Sequence, residues 1–209
     1  MEEDNYRDLQ YNIEDVEDDH NEKKPLKSGW KFELFDLLKT FVICFVSVFL
    51  ITTYLIKPVT VHGKSMYPTL KDKEVGAINV VSRKLFDVKR FDVVVAYRDG
   101  MDWVKRIIGL PGDRIYAKDD VVYVNGKPIE EPYLNNEYAN KIRERGDKFT
   151  QDFDEVILGE DEYFLIGDNR IISKDSRDIG PFLGKSIVGK DMYILYPFDE
   201  MKIVGNGNE

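Results

Sequence analysis

The sequence predicts a mainly β protein tethered by one N-terminal membrane-spanning helix, and three observations carry that expectation. Residues 40–56 contain no charged side chain. After them come short runs rich in Val, Ile and Tyr, each bounded by Gly, Pro, Asn or Asp, as strands between turns are. Between two groups of such runs, residues 129–158 are polar, charged and irregular, a loop-rich excursion from the core.

Taken in order, the chain opens with ten acidic residues and one basic residue, Arg7, in positions 1–22. The formal charge of this segment equals the -9 of the whole 209-residue chain, so the rest is balanced. With few large apolar residues, segment 1–31 reads as a disordered tail. The uncharged run 40–56 would span about 25 Å as a helix, slightly short of a hydrocarbon core of about 30 Å. Leu34, Phe35, Leu37 and Leu38 extend it, and Lys39 can snorkel. A cleaved leader fits less well because the run starts late and no small-x-small site follows it; a buried core helix is the other alternative. Five lysines (Lys23, Lys24, Lys27, Lys31, Lys39) precede the span and Lys57 alone follows closely, which puts the N-terminus in the cytoplasm and residues 57–209 outside. Pro58 is expected to end the helix.

Strands are expected at 75–81, 92–97 and 103–108, the last stopped by Gly109-Leu110-Pro111-Gly112-Asp113. Runs 114–117 and 121–124 flank Lys118-Asp119-Asp120 as a hairpin, and Asn125-Gly126 marks the next turn. Strands at 162–166 and 191–196 complete the set; the first runs into Gly167-Asp168-Asn169-Arg170, and Pro197 ends the second.

Composition excludes several functions. Without a basic surplus there is nothing to neutralise phosphates, so no nucleic-acid partner is expected. The single cysteine, Cys44, lies inside the apolar run, which rules out an intramolecular disulfide and a CxxC metal site. Of the two histidines, His20 is across the bilayer from the exported part, so a histidine base could only be His62.

A candidate nucleophile follows directly after the span, in Val61-His62-Gly63-Lys64-Ser65-Met66-Tyr67-Pro68-Thr69-Leu70. Gly63 frees the backbone before Ser65 and Pro68 stiffens the exit. On strand 103–108, Lys105 and Arg106 must point to opposite faces. If Lys105 is desolvated among Val104, Ile107 and Ile108, its pKa falls, and a neutral amine could take the Ser65 proton. The competing reading is a snorkelling surface lysine. A Ser–His–Asp triad would need His62, three residues from Ser65 and awkwardly placed on an extended strand. A P-loop fails, since Pro58 and Ile179 stand where a first Gly is required. The sole Ser-x-x-Lys, Ser28–Lys31, precedes the span.

Four segments, in this order behind one span, bring the chain to a known family. Gly63–Leu70 resembles the serine box of type I signal peptidases, Arg90–Val95 their next strand box, and Val104–Asp113 their lysine box. Gly167-Asp168-Asn169-Arg170 with Ser173-Lys174-Asp175-Ser176-Arg177 and Gly180 is similar to their last box. The resemblance covers residues 32–200. It implies Ser65 as nucleophile, Lys105 as general base, and Ser173 as the group that hydrogen-bonds and orients the lysine amine. It further implies an Asp175–Arg177 ion pair holding the last box, Gly167 and Asn169 packed near the base, and the Ser65 N–H as an oxyanion donor. The implied architecture is a tail (1–31), a transmembrane helix with flanks (32–57), a β-rich catalytic core (58–112 and 159–200), a smaller cap insertion (113–158) and a C-terminal tail (201–209). The implied activity is removal of signal peptides with small residues at the first and third positions before the cut. Partners are then exported preproteins and membrane lipid, with no metal and no cofactor. By position and type, Val61, Met66, Leu70 and Val104 are candidates for the shallow apolar pockets, and residues 59–63 for pairing with substrate as an added strand.

Two departures stand out. Some members place a hydroxyl two residues before the nucleophile as a second oxyanion donor, where this chain has Gly63. Ile171-Ile172 fills a linker that is polar in many members. Rival readings are a self-cleaving repressor with similar boxes, which would need a DNA-binding module, an inactive relative that binds exported chains, and a tethered structural β domain.

Overall fold

The computed structural model describes residues 29–54, 56–80 and 88–205. The tail up to residue 28, with His20, Lys23, Lys24, Lys27 and Ser28, lies outside the described residues, as do residue 81 of the expected strand 75–81 and positions 206–209. Helix α1 covers Trp30–Tyr54, and no residue of its apolar stretch Phe32–Ile51 is buried among the described residues. The helix therefore starts earlier than the uncharged run and ends before Pro58. Pro58 instead sits in strand β1 (Ile56–Thr60), an edge strand, where a missing N–H can be tolerated.

The strands that follow are β2 (Val75–Asn79), β3 (Val93–Arg98), β4 (Met101–Gly109), β5 (Arg114–Lys118), β6 (Val121–Val124), β7 (Lys127–Pro128), β8 (Phe153–Ile157), β9 (Glu162–Ile166), β10 (Phe182–Leu183), β11 (Ile187–Tyr196) and β12 (Lys202–Val204). They form two sheets. The larger runs β1-β2-β11-β3-β4-β9-β10, with β12 added to β11, and all its pairings are antiparallel. The smaller runs β7-β6-β5-β8 and falls within residues 114–157.

Strand β3 explains how the larger sheet is built. Val93, Val94, Val95 and Ala96 are all buried, so this strand is apolar on both faces, as a central strand must be. Val93 and Val95 join one core with Val59, Val61, Met66, Leu70, Ile78 and Met192. Val94 and Ala96 join a second with Ile107, Leu165, Phe182 and Ile187 on the other face. A third core unites the two sheets through Ile108, Phe164 and Ile166 against Ile115, Val122, Val124 and Leu158. Beside it, helix α2 (Glu137–Arg143) starts from Asn136, whose side chain accepts a hydrogen bond from Ala139 N, and buries Ala139 with Leu134 and Phe149. The short helix α3 (Ser176–Ile179) is capped by Asp175.

Candidate active site

Strand β4 supplies the first half of the site. Its register pairs Val94 with Lys105 and Val93 with Arg106 across β3, so the two basic residues face the two different cores. Strand β9 pairs with β4 only from Arg106 onward, which leaves the Met101–Lys105 stretch with a free edge on that side. Lys105 stands at the point where β9 leaves.

The second half comes from the turns after β1. The Val61 N–H donates to Glu74 O and the Lys73 N–H to Val61 O, so the chain is held to residue 61 before it turns. Gly63 takes φ +83°, a left-handed conformation that favours glycine, and its N–H donates to Asp72 Oδ1 at 2.7 Å. The turns that follow carry Ser65 back toward β4, and Ser65 Oγ ends 2.6 Å from Lys105 Nζ.

The lysine is 3% exposed and, among the described residues, forms no salt bridge. Burial, which penalises the ammonium, lowers its pKa from 10.5 to about 8. Asp175 and Asp168 oppose that fall through their negative charge, and Arg177 assists it. His62 is exposed and makes no hydrogen bond to Ser65.

The turn between β9 and α3 closes over the pair. The Asn169 N–H donates to Ser65 O at 3.0 Å, and Asn169 Nδ2 donates to Lys64 O at 3.0 Å. Gly167 sits so close that a Cβ there would lie 2.4 Å from Ser65 O and 2.2 Å from Ser173 Oγ. Any side chain at 167 would therefore displace the serine loop. Asp175 accepts from the Gly167 N–H at 3.0 Å and pairs with Arg177 through contacts of 2.8 and 2.9 Å. Burial works to raise the Asp175 pKa, but hydrogen bonds and charge from Arg177 outweigh it and the carboxyl ends below its ordinary value. Arg177 also donates to the carbonyls of Arg170 and Ser173, so the pair knots the turn together.

Ser173 is placed differently from the expectation. Its Oγ is buried beside Gly167 with no hydrogen bond of normal geometry among the described residues, to Lys105 or to any other group, although it lies close enough to Asp175 to favour the charged carboxylate. Leu70 is also placed differently. It is fully buried in the core with Met66 and Val93, because the turns ending with the Leu70 N–H bonded to Met66 O direct it inward.

Val61, Met66 and Val104 do line an open groove of about 710 Å³ that runs past Ser65 and Lys105. Its walls are residues 58–66 and 101–105, together with Ile172 and Lys174. Strands β1 and β4 both present an edge here that no other described strand pairs with.

Residue type and spacing alone missed a buried ion pair behind the groove. Arg106 Nε and Nη2 meet Asp168 Oδ1 and Oδ2 at 2.9 and 2.7 Å, and Thr69 Oγ1 donates to Asp168 Oδ2 at 2.6 Å. Arg106 Nη1 donates to Phe91 O, and the guanidinium stacks 3.9 Å from the Tyr133 ring centre. Alongside, the fully buried Arg170 donates to Glu131, Thr150 and Gly167 O. The one available signal was that Arg106 must face away from Lys105 and, if buried, needs a carboxylate.

Known proteins give this geometry its context. Residues 34–196 match the family model described as signal peptidase, peptidase S26. The chain belongs to that family. It is 42% identical to signal peptidase I S of Bacillus subtilis (strain 168) over 82% of this chain and 94% of the relative. It is 37% identical to signal peptidase IB of Staphylococcus aureus, over 82% and 94%. A crystal structure of a signal peptidase I from Enterococcus faecalis V583, 34% identical, covers 50% of this chain and 97% of that one with a TM-score of 0.46. The family is membrane-anchored, and α1 is the one helix among the described residues long and apolar enough to cross a membrane.

Proposed function

We propose that this chain is a membrane-anchored serine endopeptidase that removes N-terminal signal peptides from exported preproteins, with Ser65 as nucleophile and Lys105 as general base. One observation carries the assignment: a buried lysine without a salt bridge, its pKa lowered to about 8, stands 2.6 Å from a serine hydroxyl on an open groove. A lysine amine that is neutral near working pH can accept a proton; an ordinary surface lysine cannot.

The reaction then runs in two halves. Lys105 Nζ takes the Ser65 proton as Oγ attacks the scissile carbonyl carbon, and the carbonyl electrons move to oxygen. Collapse of this tetrahedral intermediate breaks the peptide bond, and the leaving amine takes the proton from Lys105. A water molecule then gives a proton to Lys105 and attacks the ester, and Ser65 leaves with that proton. These steps draw on side chains and water. The Ser65 N–H is one oxyanion donor, the Asp175–Arg177 pair and Gly167 keep the last turn against the serine loop, and Ser173 with Asn169 packs around the dyad.

In this reading the substrate lies extended between the free edges of β1 and β4, pairing with residues 59–63. Val61, Met66 and Val104 wall the places for small side chains before the cut, and their bulk rejects large ones. The lysine asymmetry about α1 puts the N-terminal tail in the cytoplasm, the helix in lipid, and the catalytic core (58–112 and 159–200) with its cap (113–158) outside.

The test is cleavage of a purified preprotein in detergent by the intact protein and by Ser65→Ala and Lys105→Ala, all verified as folded. Cutting by the intact protein alone, after a small-x-small site, is the expected result. Normal cutting by Lys105→Ala would move the base elsewhere, with His62 the next candidate.

A further inference from the structure

Asn169 is 2% exposed and its side chain bridges two elements far apart in sequence. Its Nδ2 donates to Lys64 O at 3.0 Å, and its Oδ1 accepts from the hydroxyl of Tyr138 at 3.3 Å. Only this orientation of the amide works, because Lys64 O can only accept while the tyrosine hydroxyl can donate. Tyr138 is the second residue of α2 and is itself held by edge-on ring contacts with Tyr67 at 5.1 Å and Phe149 at 5.9 Å.

The carbonyl that Asn169 grips is in the same peptide unit as the Ser65 N–H. A peptide unit is planar and trans, so fixing the Lys64 C=O fixes the opposite direction of the Ser65 N–H. Lys64 O also accepts from the Tyr67 N–H at 3.1 Å, and the adjacent Ser65 O accepts from the Asn169 N–H at 3.0 Å. Hydrogen bonds at a carbonyl polarise the amide and strengthen its N–H as a donor. The Ser65 N–H itself has no partner among the described residues. Gly63 offers no hydroxyl, and its N–H is committed to Asp72. The burden on the Ser65 N–H as oxyanion donor is correspondingly large.

We infer that Tyr138 and Asn169 are positioning residues of the oxyanion site: the tyrosine hydroxyl sets the Asn169 amide, and the amide aims and polarises the Ser65 N–H. The inference rests on the Ser65–Lys105 reading and adds to it Tyr138, a residue from the smaller sheet's side of the molecule that is not among those lining the groove. It acts on the charge that develops on the substrate oxygen, not on the base.

Tyr138→Phe is the informative variant, because it removes one hydroxyl and keeps the ring that packs on Tyr67 and Phe149. Asn169→Ala removes the whole grip. With a signal-peptide substrate in detergent, kcat is expected to fall roughly 5- to 10-fold for Tyr138→Phe and up to about 100-fold for Asn169→Ala, near the low end for a lost oxyanion donor. Affinity for a substrate-like peptide aldehyde, which forms a tetrahedral adduct on Ser65, should weaken in parallel. KM and the acid limb of the pH–rate profile should stay as in the parent protein. An unchanged kcat in folded Tyr138→Phe overturns the inference. So does a loss accompanied by a shifted acid limb, which would mean that the hydroxyl acts on Lys105, or a loss confined to KM. Ser65→Ala and Lys105→Ala in the same assay separate the two levels. If they are inactive and Tyr138→Phe is normal, only the positioning role fails; if they still cut, the dyad reading fails and this inference with it.

Discussion

Lys105 and Arg106 are consecutive on β4, both almost fully buried, and the two faces of the strand treat them in opposite ways. On the groove side Lys105 meets a serine hydroxyl and no ion-pair partner, and burial lowers its pKa to about 8. On the far side burial also works to lower the Arg106 pKa, but the Asp168 carboxylate outweighs it and the guanidinium ends above its ordinary value. The same desolvation thus yields a proton acceptor on one face and a fixed charge on the other. What differs is the carboxylate in contact. In the proposed mechanism a base is made by withholding a partner, a scaffold by supplying one.

The largest test of this contrast is to abolish proton exchange without removing positive charge. Lys105→Arg should reduce kcat by about 10⁴-fold or more, as Lys105→Ala should, because a guanidinium stays protonated at any working pH. A single-turnover cleavage assay reads this directly, and substantial activity in Lys105→Arg would break the comparison on the groove side. On the far side, Asp168→Ala leaves Arg106 charged and unpaired in the core. Denaturant unfolding should show a loss of about 3–5 kcal/mol, and joint replacement of Arg106 and Asp168 by apolar residues should recover much of it.

Lys105→Met should do the reverse and stabilise the fold at pH 7, by about 1–3 kcal/mol, since the parent must hold an ammonium in an apolar site. The sign follows from linkage. Between about pH 8 and 10.5 the unfolded lysine binds more proton than the folded one, so the parent gains stability as pH rises through that window. The advantage of Lys105→Met should therefore shrink above pH 8 and be constant below it, which unfolding curves at pH 6, 7, 9 and 10 would reveal. The smallest effect belongs to an exposed pair. Lys57 and Asp102 meet at 2.9 Å but keep 41% and 35% of their side chains in solvent, so Asp102→Asn should change stability by less than about 1 kcal/mol.

Strand alternation alone separates Lys105 from Arg106, and the β-branched runs locate most strands to within a few residues. The proposed dyad was open to sequence reading because its partners lie in compact, recognisable segments, as does the Asp175–Arg177 pair two residues apart. Asp168 and Arg106 are 62 positions apart and meet only because β9 pairs with β4. Tyr138 reaches Asn169 across the boundary between sheets. Neither contact has a local signature, since sheet order places β9 directly beside β4, a non-sequential arrangement that residue patterns do not encode. Leu70 shows the same limit in miniature. Apolar type cannot tell a groove wall from a core, and the inward turn at 66–70 decides it.

In the proposed mechanism desolvation is the main cause that makes Lys105 a base, with Arg177 assisting it. The most direct measurement is the pH dependence of kcat/KM for the intact protein in detergent on a signal-peptide substrate. An acid limb with a midpoint near pH 8 is expected, rising with pH to a plateau as Lys105 loses its proton. A profile that rises only near 10.5, or one that stays flat down to pH 6, would contradict it.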